Sequence, residues 1–117
     1  MIIVDRDTFL AMPSGTVYAK VTSPPSPDFE PMEIKGDTSA IGDFHSRALI
    51  GYFEYDDEND ERIDPVDALL AGQSRRPAFD CDELDGLFDD DQLFAIFERE
   101  DVERLIDQLQ QTLLPRR

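Results

Sequence analysis

The residues whose type and spacing could support binding or catalytic chemistry lie in two acidic clusters. Six of the eight residues in 54–61 are acids, as are seven of the twelve in 80–91, and no base interrupts either cluster. Carboxylates bind calcium in EF-hand loops, which place their oxygen ligands at fixed positions around one glycine. A loop that begins at Asp80 lacks that glycine, and one that begins at Cys81 starts on a residue without an oxygen ligand. We therefore predict no metal site.

The same clusters could imitate the phosphate backbone of a nucleic acid. Duplex DNA carries one negative charge per about 1.7 Å of its axis, and carboxylates at alternate positions of an extended chain lie about 6.6 Å apart. Two adjacent acidic segments could therefore approach the charge density of DNA and dock on a basic, nucleic-acid-binding protein surface. The alternative is that these acids only keep the protein soluble. The candidate partner-binding residues are Glu54, Asp56, Asp57, Asp80, Asp82, Asp85, Asp89, Asp90 and Asp91.

Catalytic chemistry has little support in the sequence. The chain has one histidine, His45, and one cysteine, Cys81, and it contains no nucleophile-elbow or phosphate-loop motif. Cys81 lies between two aspartates, whose charge disfavours a reactive thiolate. Neither residue has a second Cys or His at the spacing of a zinc site. We therefore expect a protein that binds and is not an enzyme, with no cofactor.

A small set of arginines supports a different hypothesis, which is binding of a phosphate-bearing nucleotide. Guanidinium groups bind phosphate through paired hydrogen bonds, and aromatic rings can stack on a base. The candidate ligand-binding residues are Arg47, Arg75 and Arg76, near the aromatic residues Tyr52, Phe53 and Tyr55. Because one small domain offers little concave surface, such a pocket is expected between subunits.

The net charge of −16 limits the possible partners. It disfavours direct binding to nucleic acid or to an anionic membrane and favours basic proteins. The single cysteine excludes an internal disulfide and suits the cytoplasm, and the opening MIIVDRDTFLAM is too short and too acidic for a signal peptide or a membrane span. The less charged N-terminal half is where we expect subunits of a homo-oligomer to meet, through Phe9, Leu10, Met12, Val17 and Tyr18.

The elements that position the second acidic cluster lie just after it. A strand at 93–97 (LFAIF) is apolar on both faces, so it is predicted to be central in a sheet. The segment after it predicts an amphipathic helix that Pro115 ends, and we expect its apolar stripe to be buried on the sheet. The stripe consists of Val102, Leu105, Ile106, Leu109 and Leu113.

Shorter signals complete the predicted fold. A helix near residues 8–12 would be capped by Asp5 or Asp7, and Gly36 and Asp37 are expected to end a strand. Together the patterns predict one α+β domain, residues 1–117, with a curved antiparallel sheet of four to six strands backed by the C-terminal amphipathic helix. The other predicted elements are strands at 1–4, 16–21, 29–35 and 47–55 and a helix at 64–72.

Two stretches resemble known proteins. Residues 9–19 (FLAMPSGTVYA) and 85–101 (DGLFDDDQLFAIFERED) resemble small proteins encoded by bacteriophages and prophages, most of undefined function. The resemblance implies no site residue. It implies a setting in which small acidic proteins inhibit host defence, either by occupying a basic surface or by sequestering a nucleotide signal. We therefore expect a phage-type inhibitor in the host cytoplasm, with an oligomeric nucleotide-binding protein as the alternative.

Overall fold

Six strands form one antiparallel sheet in the described part of this protein. The structure, a computed structural model, describes residues 1–22, 28–50, 70, 72 and 81–115. The strand order is β1-β6-β2-β3-β4-β5, and a C-terminal helix follows β6. The predicted α+β class is confirmed. The elements are β1 (Ile2–Val4), α1 (Arg6–Leu10), β2 (Val17–Val21), β3 (Glu33–Thr38), β4 (Phe44–Ala48), β5 (Cys81–Leu84), β6 (Leu93–Phe97) and α2 (Arg99–Gln111).

The strand predicted to be central, β6, lies inside the sheet. It pairs with β1 on one side and with β2 on the other, so that Ile96 is the register partner of both Ile2 and Tyr18. Phe94, Ala95 and Ile96 are all buried. Apolar residues on both faces of this strand are what its position requires.

Helix α1 closes one face of the sheet by inserting Phe9. The helix begins at its N-cap Asp5, whose carboxylate accepts a hydrogen bond of 2.9 Å from the Thr8 amide. The Phe9 ring stacks on Phe94 with centroids 4.0 Å apart and meets the Tyr18 ring at 4.7 Å. Phe9 and Tyr18, which we expected at a subunit contact, are therefore core residues with 0% and 1% exposure. Their burial removes them from any surface that a second subunit could touch.

Strand β3 continues past the glycine that was expected to end it. A Cβ atom at Gly36 would lie 2.8 Å from the Cβ of His45, so only glycine lets β3 and β4 approach this closely. The register shifts between Lys35 and Thr38, where the strand contains an irregularity. The glycine therefore permits close strand contact here and does not mark a turn.

One strand was missed because its residues looked like part of an acidic loop. Residues 81–84 (CDEL) form β5, which pairs with β4 so that Arg47 opposes Asp82 and His45 opposes Leu84. Pairing with a neighbouring strand outweighs the low strand preference of this acidic segment. The predicted helix at 64–72 and the later part of the predicted strand at 47–55 lie almost entirely outside the described residues.

Helix α2 does not bury its apolar stripe, and that expectation was wrong. The helix begins after Glu98, whose backbone amide donates to the Asp101 carboxylate at 2.9 Å. None of its residues is buried, and Ile106 and Leu109 are 49% and 67% exposed. Its main contact with the sheet is with β6, and its Asp101 carboxylate also pairs with the Met1 amino group at 2.7 Å. Among the described residues, no helix has the length and apolar character needed to cross a membrane.

Candidate functional site

Polar side chains at alternate positions of the sheet line a cavity on the face that carries the aromatic core. Tyr18 and Lys20 lie two residues apart on β2, and the register places Glu33 of β3 opposite Tyr18. Ser46 of β4 is on the same face, because Ser46 opposes Lys35, two residues after Glu33. The cavity has a volume of about 320 Å³, and Glu30, Glu83 and Asp85 complete its polar lining.

Two hydroxyl groups converge on one carboxylate in this cavity. The Tyr18 hydroxyl donates to Glu33 Oε2 at 2.8 Å, and the Ser46 hydroxyl donates to the same oxygen. The two hydroxyl oxygens are 2.7 Å apart. Burial, followed by the nearby negative charge of Glu33, raises the pKa of Tyr18 far above its usual value. The phenol therefore stays protonated, and the cluster is a set of satisfied hydrogen bonds with no activated nucleophile.

The Asp85 carboxylate compensates two bases that lie inside the fold. It forms ion pairs with the Lys20 ammonium and with the Arg6 guanidinium, the latter at 3.9 Å. The Lys20, Arg6 and Asp85 side chains are only 14%, 5% and 7% exposed. Arg6 also donates to the Gly42 carbonyl at 3.0 Å, and its guanidinium lies 5.7 Å from the centroid of the Phe44 ring. Asp85 therefore connects α1, β2 and the segment after β5.

A second buried aspartate fixes the backbone that follows Asp85. Asp43 is 3% exposed, and its two carboxylate oxygens accept hydrogen bonds of 3.0 and 3.1 Å from the Gly86 amide. Farther along, Asp89 accepts from the Asp91 amide at 3.0 Å, which closes a turn just before β6. The acidic segment is thus held at Asp85 and Gly86 and again at the start of β6.

A third base is also turned inward. Lys35 is 2% exposed, donates to the Gly36 carbonyl at 3.0 Å and to the Thr38 hydroxyl at 2.8 Å, and lies 5.7 Å from the centroid of the Phe9 ring. Burial lowers the pKa of this ammonium. Its hydrogen-bonding capacity is used within the fold.

The exposed charges of the described residues are mostly acidic. Among the described residues, fourteen acids are exposed, whereas the only exposed bases are Arg47, Arg99 and Arg104. Three bases and four acids of the described residues are not exposed, so the excess of acids on the surface follows from the composition. In the described part of the chain, no group of three or more His, Cys, Asp or Glu side chains is arranged to hold a metal ion.

The predicted partner-binding residues fall into three groups in the structure. Asp82, Asp89, Asp90 and Asp91 are exposed. Asp85 lies inside the fold with its carboxylate already paired, so it is not available to a partner. The remaining predicted residues of this set, Glu54, Asp56, Asp57 and Asp80, lie outside the described residues.

Of the three arginines of the alternative hypothesis, Arg47 lies among the described residues. Arg47 is exposed on β4 and borders a shallow depression of about 420 Å³. The same depression is lined by His45, Asp37 and Asp82. Arg75 and Arg76 lie outside the described residues. An anion at Arg47 would therefore also meet two carboxylates.

Sequence reasoning named Asp85 for a different role and missed the other residues of the cavity, although one signal pointed to them. Lys20 follows Tyr18 by two positions in a strand, so it must share the face of that buried ring. A lysine on a core-facing position requires a buried counter-charge. The sequence does not identify Asp85 as that counter-charge, because the two residues are 65 positions apart.

Comparisons of the chain with protein-family models, with curated proteins and with solved structures find no significant match.

Substitution of the central carboxylate should destabilise the fold. Asp85→Asn leaves Lys20 and Arg6 buried without a counter-charge, so we expect the free energy of unfolding to fall by about 3 kcal/mol. Asp90→Asn is the matched control, because Asp90 is exposed; its effect should stay within about 0.5 kcal/mol. Urea denaturation measures both variants. Equal stability of the two would show that the buried pairs are not needed.

The buried phenol should give the fold a characteristic alkaline sensitivity. The pKa of Tyr18 is raised in the folded state, so the unfolded chain loses this proton first and stability falls as the pH rises above the unfolded value of about 10. The free energy of unfolding of the native protein should therefore decrease relative to that of Tyr18→Phe between neutral and strongly alkaline pH. A difference that stays constant with pH would contradict the buried, neutral phenol.

Proposed function

We propose that this protein acts by binding, and that its acidic surface docks on a basic, nucleic-acid-binding surface of a host protein in the host cytoplasm. The observation that carries the proposal is the charge of the exposed surface, which has fourteen acids and only three Lys or Arg side chains among the described residues. Such a surface attracts cationic surfaces and speeds their encounter. The resemblance of two stretches to phage-encoded proteins supports the role of an inhibitor of host defence.

The docking surface that we propose is the exposed part of residues 82–91. Asp82, Asp89, Asp90 and Asp91 point to solvent, and neighbouring Glu83 adds a further exposed acid. The backbone of this segment is held by the hydrogen bonds of Asp43 to Gly86 and by the turn at Asp89. A segment that is already ordered loses less conformational entropy when it binds.

Two further points define the proposed surface. Asp85 is left out, because its carboxylate is paired inside the fold. Asp80 adjoins the surface in the sequence and remains in the proposal with the first acidic cluster, Glu54, Asp56 and Asp57.

Sequestration of a phosphate-bearing nucleotide remains the alternative proposal. Arg47 and His45 on β4 support it, because both border the depression on the other face of the sheet. Asp37 and Asp82 border the same depression, and like charge lowers its affinity for a phosphate. Acidic docking therefore agrees better with the charges of the described residues.

The direct experiment compares two variants of equal charge. In Asp89→Asn/Asp90→Asn/Asp91→Asn, three exposed acids of the docking surface are neutralised. We expect the immobilised variant to retain much less of the bound host protein from a bacterial lysate than the native protein retains at low salt, because attraction to a basic surface depends on these charges. Quantitative mass spectrometry of the eluted proteins provides the measurement.

The control is Asp7→Asn/Asp37→Asn/Asp107→Asn, which neutralises three exposed acids at scattered positions. It should retain most of the partner, because its acids lie outside the docking surface. If both variants lose the partner equally, only the net charge matters and the proposed surface is wrong. Retention of a nucleotide without a protein would favour the alternative.

A further inference from the structure

The second half of helix α2 lies exposed with an apolar face. Val102 and Leu105, near the start of the helix, are half-buried. From Ile106 to the end of the described chain at residue 115, every residue is exposed. Helix α2 therefore contacts β6 near its beginning and extends away from the sheet afterwards.

The exposed apolar side chains of this half share one stripe. Ile106 and Leu109 are 49% and 67% exposed and lie on one side of the helix, and Leu113, in the turn that follows the helix end at Gln111, is 84% exposed and continues this spacing. Helices of this length are marginal in water without tertiary contacts. A cover for these side chains would therefore stabilise the helix.

The charges around the stripe indicate what kind of cover fits. Residues 108–115 (QLQQTLLP) carry no charge, in a chain in which 32% of residues are charged. A basic partner helix would be attracted by acids along the stripe, but Asp107 is the only charged residue between 105 and 115. The uncharged surface is instead where a second copy of this acidic protein can approach with least repulsion.

We propose that α2 pairs in antiparallel orientation with α2 of a second copy. A two-fold axis between Leu109 and Gln110 places Ile106 of one copy against Leu113 of the other. The acids near the two helix starts, such as Glu103, are then about 20 Å apart along the pair, well beyond the Debye length of about 8 Å. In a parallel pair the same acids would lie side by side, about 9 Å apart.

The size of the stripe sets the strength of this pairing. Three or four apolar side chains on each copy bury roughly 300–400 Å², whereas a standard interface buries about 800 Å² per partner. The dimer is therefore weak and dissociates on dilution. Residues 82–91 precede the N-terminal end of β6, and helix α2 follows the C-terminal end of that strand. Pairing through α2 therefore leaves the acidic docking surface of each copy free.

Sedimentation equilibrium over a range from low to high micromolar concentration tests the proposal. The average mass of the native protein should rise from the monomer value of 13.3 kDa towards twice that value. Leu109→Gln should stay monomeric, and circular dichroism should show a native-like fold because Leu109 is exposed. Ile41→Gln is the matched control: Ile41 is 76% exposed outside α2, and this variant should associate like the native protein. A native protein that stays monomeric, or a Leu109→Gln variant that still dimerises, would overturn the proposal.

Disulfide formation tests the orientation. In a Cys81→Ser background, a mixture of Ile106→Cys and Leu113→Cys should form the mixed disulfide, because these positions oppose each other only in the antiparallel pair. In the antiparallel pair the two copies of residue 106 are about 10 Å apart along the helix axis. This distance is too large for a disulfide without backbone movement. Disulfides between identical variants in preference to the mixed product would show a parallel pair and overturn the proposed geometry.

Discussion

The buried Asp85 carboxylate is the constraint on which the rest of this structure depends. It compensates Lys20 of β2 and Arg6 of α1, two bases that would otherwise carry uncompensated charge inside the fold. The same Arg6 donates to the Gly42 carbonyl just before β4. One carboxylate therefore joins the helix that closes the core, a central strand and the segment that leads from β5 to β6.

Acids dominate the exposed surface of the described residues. Arg6 and Lys20 pair with the internal Asp85 carboxylate and Lys35 bonds to the Gly36 carbonyl and the Thr38 hydroxyl, whereas Asp82, Asp89, Asp90 and Asp91 point to solvent. Asp43 holds the Gly86 amide, so the exposed acids belong to an ordered segment. The acidity of the surface thus follows from the composition, and the internal hydrogen bonds fix where the exposed acids lie.

Local patterns in the sequence predicted much of the fold. The apolar run of β6, the Asp5 cap of α1 and the C-terminal helix each depend on residues within one short segment, and each is present, although the helix ends at Gln111 and not at Pro115. The missed features depend on distant residues. Strand β5 forms because it meets β4, and Asp85 is buried because Lys20 and Arg6 lie opposite it. The exposure of Leu109 could not be read from its stripe, since periodicity shows which face is apolar and not what covers it.

The sequence predicted only part of the candidate site, because the rest depends on residues that are far apart in the chain. Composition identified the acidic segment, but it could not separate the paired Asp85 from the exposed Asp89. Alternation along β2 pointed to an inward Lys20 without naming its counter-charge. Position in the fold therefore decides which acids can reach a partner and which serve the fold.

The affinity of the native protein for its captured host partner, measured as a function of salt concentration with and without competing duplex DNA, tests acidic docking most directly. We expect the logarithm of the association constant to fall steeply with the logarithm of the salt concentration, and we expect duplex DNA to displace the protein from its partner. An affinity that is insensitive to salt, or a complex that forms equally well when the partner is saturated with DNA, would contradict docking on a nucleic-acid-binding surface.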